Sequence, residues 1–240
     1  MPDSPTAMTT DDFARNLAEV RARMDAACAR AGRTASEVRL LAVSKTVPAG
    51  RLRSAYQAGY HEFGENKVQE AVAKATELAD LPDLTWAMIG HLQTNKVREV
   101  VSFADEFHAL DSLRLAEALE RRLESAGRSL DVYLEVNTSG EPGKFGLLPD
   151  QVAEVLAELP RFPRLRPVGL MTLAVNSSDA TAVRACFAEL RELRDRLQSS
   201  TPTLTGLSMG MSGDFELAIE EGATTVRIGQ ALFGARTRPA

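Results

Sequence analysis

One lysine stands out by its position. Lys45 follows directly on Val38-Arg-Leu-Leu-Ala-Val-Ser44, a compact apolar run with the length of a buried strand. An amine at such a strand end is partly desolvated, which favours its neutral form, and a neutral amine attacks carbonyls to give Schiff bases. Taken alone, a lysine at a strand tip more often just reaches water. The second feature is Ser208-Met209-Gly210-Met211-Ser212-Gly213-Asp214, a turn ahead of a helix. Its glycines let the backbone approach an anion, and the helix start offers free N–H groups and a positive dipole end. A plain Gly/Ser turn with an N-cap is the alternative. The third is Arg227-Ile-Gly229-Gln230. A buried arginine needs an acceptor, so Arg227 either pairs with a carboxylate of the fold or faces a ligand. His91, one of three histidines with His61 and His108, suits a general base or a hydrogen-bonded structural role. Glu65 and Asn66 either line a pocket or, for Asn66, cap the next helix. Three scattered histidines and the distant Cys28 and Cys186 give neither a metal site nor a disulfide framework.

These groups act together only if the fold gathers them. Thr10 is placed to cap a first helix whose apolar stripe is Phe13, Leu17, Val20 and Met24, with Gly32 ending it. Strands are then expected at Val38–Ser44, up to Asn66, at Leu84–Ile89, Glu106–Leu110, Leu130–Val136, Pro167–Leu173, Thr205–Ser208 and Thr225–Ile228. Helices are expected at Ala49–Ala58, up to Asp80, at Thr94–Ser102, Ser112–Ser125, Pro149–Leu159, Ala180–Gln198 and Asp214–Glu221, with a helical start after Gly229. Sequential strand–helix units with short connections mean a parallel sheet with right-handed crossovers. Eight of them after a leading helix point to a (β/α)8 TIM barrel, one domain over residues 10–240 behind a flexible leader of residues 1–9. An open doubly wound sheet is the alternative, but the first turn, Ser44-Lys45-Thr46-Val47-Pro48, has no glycine until Gly50. Barrel sites form at the C-terminal strand ends, where Lys45, Asn66, His91, Met171, Ser208 and Arg227 all fall. The opposite ends carry Arg39, Tyr60-His61, Asp83, Asp131 and Thr224, with no shared chemistry. The loop Thr138–Pro149 is long enough for a mobile flap.

Composition narrows the class. The 240 residues hold 28 basic and 33 acidic side chains, a net charge of −5, with 44% hydrophobic and 25% charged residues. That is ordinary globular composition, neither disordered nor fibrous, with no overall field for nucleic acid. The first ten residues show no signal-peptide pattern, and no apolar run nears the roughly 20 residues of a membrane span, so the chain reads as cytoplasmic.

A strand-end lysine plus a phosphate cup after the last two strands suggests a phosphorylated carbonyl cofactor, pyridoxal 5′-phosphate (PLP). At this point the chain resembles the pyridoxal phosphate homeostasis protein family, single-domain relatives of the alanine racemase barrel. The carrying motifs are Leu41-Ala-Val-Ser-Lys-Thr46, Phe63-Gly-Glu-Asn66, Ile89-Gly-His-Leu-Gln-Thr-Asn-Lys96, Gly169-Leu-Met-Thr172, Leu207-Ser-Met-Gly-Met-Ser212 and Val226-Arg-Ile-Gly229. The resemblance implies that Lys45 forms the Schiff base with PLP. It implies that Ser208 and the Met209–Gly210 backbone hold the phosphate, with Gly229 and Gln230 as a second phosphate loop. Arg227 would face the pyridine nitrogen, and Asn66 and Met171 would line the cofactor. The position after Gly229 is commonly a small hydroxyl residue in the family and is Gln230 here, which leaves the backbone N–H as the contact expected there.

Two functions of different class follow. A permanently cationic arginine disfavours protonation of the pyridine nitrogen, so the electron sink is weak. Alanine racemases share that arginine but add a tyrosine base from a second domain, whereas Tyr56, Tyr60 and Tyr133 here belong to the barrel and the sequence ends at Ala240. The first expectation is therefore a PLP carrier or buffer without evident turnover, a monomer or weak dimer that hands PLP to apo-enzymes. The other is a PLP-dependent racemase-like enzyme of low activity. A barrel that binds phosphate and uses Lys45 without a cofactor is a third reading.

Overall fold

Eight short apolar runs form the strands of a closed parallel barrel in the computed structural model, which describes residues 8–234. They are β1 (Arg39–Val43), β2 (Glu62–Glu65), β3 (Thr85–Met88), β4 (Glu106–Leu110), β5 (Leu130–Glu135), β6 (Leu165–Met171), β7 (Gly206–Ser208) and β8 (Thr225–Ile228). Each pairs with the next, and β8 closes on β1 with Leu40 opposite Val226 and Leu41 opposite Arg227. Both faces of a barrel strand are covered, which is why Leu40, Leu41, Ala42 and Val43 are all buried in succession. The expected (β/α)8 barrel is the observed fold.

The helices are α1 (Thr10–Arg30), α2 (Ala49–Gln57), α3 (Val68–Glu77), α4 (Val97–Phe103), α5 (Leu113–Ala126), α6 (Val152–Glu158), α7 (Ala180–Gln198), α8 (Phe215–Glu220) and α9 (Gln230–Phe233). In α5 the i, i+4 series Leu115, Leu119 and Leu123 is buried, Ser112 caps the start, and Gly127 at φ 64° ends it. Burying those three leucines contributes on the order of 6 kcal/mol before the entropy of ordering them is counted. The leading helix α1 lies across α2, α8 and α9, which flank the seam between β8 and β1. Its Phe13 ring sits between Tyr60 and Phe233, at 5.8 and 5.5 Å.

Several boundaries differ from expectation. The N-cap of α1 is Thr9, not Thr10, in a capping box with Asp12. Residues 1–7 of the expected leader lie outside the described residues, while Met8 accepts a hydrogen bond from Ser54 Oγ and Thr9 belongs to the helix cap. Strand β6 begins two residues before Pro167. That proline, which has no N–H to give, lies opposite Val132 at the register shift between β5 and β6. The helices expected at Thr94–Ser102 and Pro149–Leu159 each begin with a 3-10 turn, Thr94–Lys96 and Pro149–Gln151.

The barrel interior is partly polar. The Tyr133 ring fills the space over Gly169 and Gly206, where a Cβ on Gly169 would stand 2.4 Å from the Gly206 carbonyl oxygen and 2.6 Å from Tyr133. Beside it runs a chain of polar contacts. Arg39 donates to Glu106 (2.6 Å), Glu106 bonds His108 Nε2 (2.8 Å), His108 Nδ1 bonds Ser208 Oγ (2.9 Å), and Arg227 donates to Ser208 Oγ (2.8 Å). The N-terminal strand ends, read from the sequence as lacking shared chemistry, are in fact an ion network. Arg39 also pairs with Glu62 at 2.5 Å and Arg166 with Asp131 at 2.6 Å, around an open cavity of about 570 Å³. Those partners come from different strands, so no local spacing announces them.

Candidate functional site

Because every strand runs in one direction around a closed barrel, the residues that follow β1, β2, β6, β7 and β8 share one rim. Lys45, Asn66, Met171, Ser208–Gly210, Arg227 and Gly229–Gln230 are therefore at the same end of the molecule. Lys45 is half-buried between a buried Ser44 and Thr46, whose φ of +64° is the sole non-glycine value in the left-handed region among the described residues. Asn66 is half-buried, and its Oδ1 is enclosed without a protein partner. Gly90 lets it sit there, since a Cβ at that position would come 2.3 Å from the Asn66 carbonyl oxygen. Met171 is buried, in register with Glu135 and Ser208.

Arg227 is the centre of the rim. It is 4% exposed and donates to the Ser208 carbonyl at 2.6 Å, to Ser208 Oγ at 2.8 Å and to the Thr172 carbonyl at 2.8 Å. No carboxylate of the described residues stands within ion-pair distance, so the structural ion pair considered from sequence does not form. Burial lowers its pKa to about 10, opposed by Asp214 and Glu135, and it remains charged at neutral pH.

Ser208 is tied to this guanidinium from below. Burial would raise Glu106, but the hydrogen bond from His108, with Arg39, holds its carboxyl down at about 2. Burial pushes His108 down, so a neutral ring donates Nε2–H to Glu106 and accepts the Ser208 hydroxyl proton at Nδ1. The Ser208 hydroxyl is thereby engaged inside the barrel. The Met209 N–H is also engaged, with the Thr225 carbonyl at 3.0 Å. Gly210 follows at φ +92°, where a Cβ would strike Ala218 at 2.6 Å, so that backbone runs bare against α8. At the second loop a Cβ on Gly229 would come 2.8 Å from the Val43 carbonyl oxygen, and the exposed Gln230 opens the first turn of α9.

Other sequence candidates have different places. His91 hydrogen-bonds Asp111 at 3.0 Å and stacks on Phe145 at 3.7 Å, so it supports the loop after β5. That loop is bound at both ends, with Leu147 N–H on the Glu135 carbonyl and Asn137 N–H on the Leu147 carbonyl. Glu65 does not line the mouth; it accepts from Ser44 Oγ and Lys74, each at 2.6 Å. Sequence reading missed Glu135. Its Oε2 is enclosed without a partner, and burial, with Asp111 adding and Arg227 opposing, lifts its pKa to about 7. The available signal was a lone carboxylate inside the apolar run Val132-Tyr133-Leu134-Glu135-Val136.

The rim thus joins an amine, a glycine-turn backbone, a buried cation held only by neutral acceptors, and two enclosed oxygens without partners. With the fold, these define the class. The chain belongs to the family described as alanine racemase, N-terminal domain, whose model matches residues 11–237. More particularly, it is 46% identical over 224 residues to the pyridoxal phosphate homeostasis protein of Pseudomonas aeruginosa, covering 93% of this chain and 96% of that one. The protein of the same name from Aquifex aeolicus is 44% identical over 221 residues, with 92% and 96% coverage. Among solved structures, PipY of Synechococcus elongatus with PLP bound superposes with a TM-score of 0.82 at 42% identity, over 92% of this chain and all of that one. Alanine racemase of Clostridium difficile shares the fold alone, with a TM-score of 0.76 at 13% identity and 61% of its length covered. The resemblance drawn from the motifs is borne out at the level of family.

Proposed function

We propose that this chain binds PLP through Lys45 and serves PLP homeostasis as a carrier. The observation that carries the reading is Arg227, a buried, charged guanidinium with no carboxylate against it, at the same rim as Lys45. Held on Lys45 as a Schiff base, the cofactor would supply an imine, exchangeable with other amines and conjugated to an electron-withdrawing ring. Arg227 would face the ring nitrogen as a donor that gives up no proton at neutral pH, which would keep the ring a poor electron sink. The Gly210 backbone and the Gly229–Gln230 turn would hold the phosphate. In this reading Ser208 contributes by fixing Arg227 rather than by offering its hydroxyl to the phosphate. Asn66 and Met171 would flank the ring, with the enclosed Asn66 Oδ1 available to accept a hydrogen bond from the ligand.

The tyrosines support holding over turnover. The Tyr60 hydroxyl donates to the Leu40 carbonyl, Tyr133 lies over Gly169 and Gly206 inside the barrel, and Tyr56 stacks on His61 at 4.5 Å. None is a base at the rim. The recipients are apo-enzymes that require PLP. The test is titration of the protein with PLP, borohydride reduction and peptide mass mapping. Pyridoxyl on Lys45, lost completely in Lys45→Ala with the melting temperature unchanged, is the expected result. Adduct elsewhere, or none, overturns the assignment.

One observation favours a second reading, a racemase-like enzyme of low activity. Glu135, with its carboxyl near neutrality, is a group at the rim able to move a proton. Deuterium exchange at Cα of added amino acids, abolished in Glu135→Gln, would establish it.

A further inference from the structure

Behind Lys45 lies a buried ion cluster that the cofactor assignment does not use. Lys74 of α3 is 6% exposed. Its Nζ donates to the Ser44 carbonyl, to Glu65 Oε1 and to Glu70 Oε1, each at 2.6 Å. Glu65 Oε1 also accepts the Ser44 hydroxyl, and Glu70 Oε1 accepts the Thr46 N–H at 2.5 Å. The residues on both sides of Lys45 are thus held by the same three charged side chains. Thr46, the far side of that clamp, has a left-handed backbone. That conformation is costly for a β-branched residue and persists only when its surroundings impose it. If Thr46 relaxed to an ordinary φ, the peptide joining it to Lys45 would rotate and the lysine would be re-aimed.

Packing alone does not explain the cluster. Apolar residues of similar volume would seat α3 on the barrel at least as well as a buried ammonium with two carboxylates. What distinguishes the charged set is its bonds to the backbone of residues 44 and 46. We infer that Lys74, Glu65 and Glu70 are positioning residues that hold the turn around Lys45 in its strained form, aiming the amine into the barrel mouth. The inference rests on Lys45 being the cofactor's anchor.

It carries a specific consequence. Glycine adopts the left-handed region at no steric cost, so glycine at position 46 makes the clamp dispensable. The experiment compares the full-length parent, Glu70→Ala, Thr46→Gly and the double variant, each titrated with PLP and trapped with borohydride. Glu70 is a quarter exposed on a helix, so its removal spares the fold even where Lys74→Met does not. Glu70→Ala is expected to weaken PLP loading about tenfold, in line with the cost of an unsupported left-handed residue. Thr46→Gly should load like the parent, and the double variant should recover to within about threefold of it. A purely structural cluster predicts no such rescue. Undiminished loading in Glu70→Ala, or a double variant as weak as Glu70→Ala, overturns the inference while the Lys45 adduct in the parent stands. A parent that traps nothing on Lys45 overturns the anchor assignment and this inference with it.

Discussion

The two ends of the barrel are built on opposite terms. At the N-terminal end charge meets charge: Arg39 with Glu62 and Glu106, Arg166 with Asp131, and Arg128 with Asp105 at 3.5 Å. At the C-terminal end Asn66 Oδ1 and Glu135 Oε2 are enclosed without partners, Arg227 is held by neutral oxygens, and Thr46 is strained. Unsatisfied polar atoms and strain each lower stability and persist where something else needs them. The difference teaches that both ends are polar but only one is incomplete, and incompleteness is the mark of a ligand site.

Substitutions at the two ends should therefore separate stability from ligand binding. The largest effect is expected at the base. Arg39→Met strands Glu62 and leaves Glu106 with His108 alone, and should lower the unfolding free energy by about 2 kcal/mol in urea titrations. PLP loading of that variant should stay within about threefold of the parent. A large loading defect there would erase the division between the ends.

At the mouth the sign reverses with pH. Glu135 binds its proton more tightly folded than unfolded, with a pKa lifted from 4.5 to about 7. Its contribution is fully present below about 4.5 and is lost as pH rises through 7. Glu135→Gln mimics the protonated form and should stabilise the unliganded protein at pH 8 by about 1–2 kcal/mol, with little change near pH 5. An unchanged denaturation midpoint at pH 8 would show that Glu135 is solvated. The smallest effect belongs to the loop after β5. Phe145 is 56% exposed, and Phe145→Ala removes its stack on His91. The cost should be about 0.5 kcal/mol, read as faster amide exchange confined to residues 138–147.

Much of this was legible in the sequence. Apolar runs of strand length alternating with helical periodicity gave the eight units, and a closed parallel barrel fixed which strand ends meet. The lysine after an apolar run and the glycine turns near the C-terminus needed no partner to be noticed. Lys74 was not legible, because a lysine on the amphipathic helix Val68–Glu77 reads as solvated until the turn it holds is seen. The Arg39–Glu106 pair joins strands 67 positions apart across the barrel interior, and nothing local encodes it. The partners of Ser208 and Met209 were hidden for a related reason. Their residue types fit a phosphate loop, but whether a hydroxyl or N–H is already engaged depends on His108 and Thr225, which come from other strands.

The polar chain Arg39–Glu106–His108–Ser208–Arg227 also bears on descent. Each inner member serves a neighbour on either side, so replacing one strands another. Drift through this column must proceed by compensated sets, whereas the exposed faces of the surrounding helices are free to change one residue at a time. The barrel interior should thus keep a slower clock than its coat, with these five positions inherited, or lost, as a block.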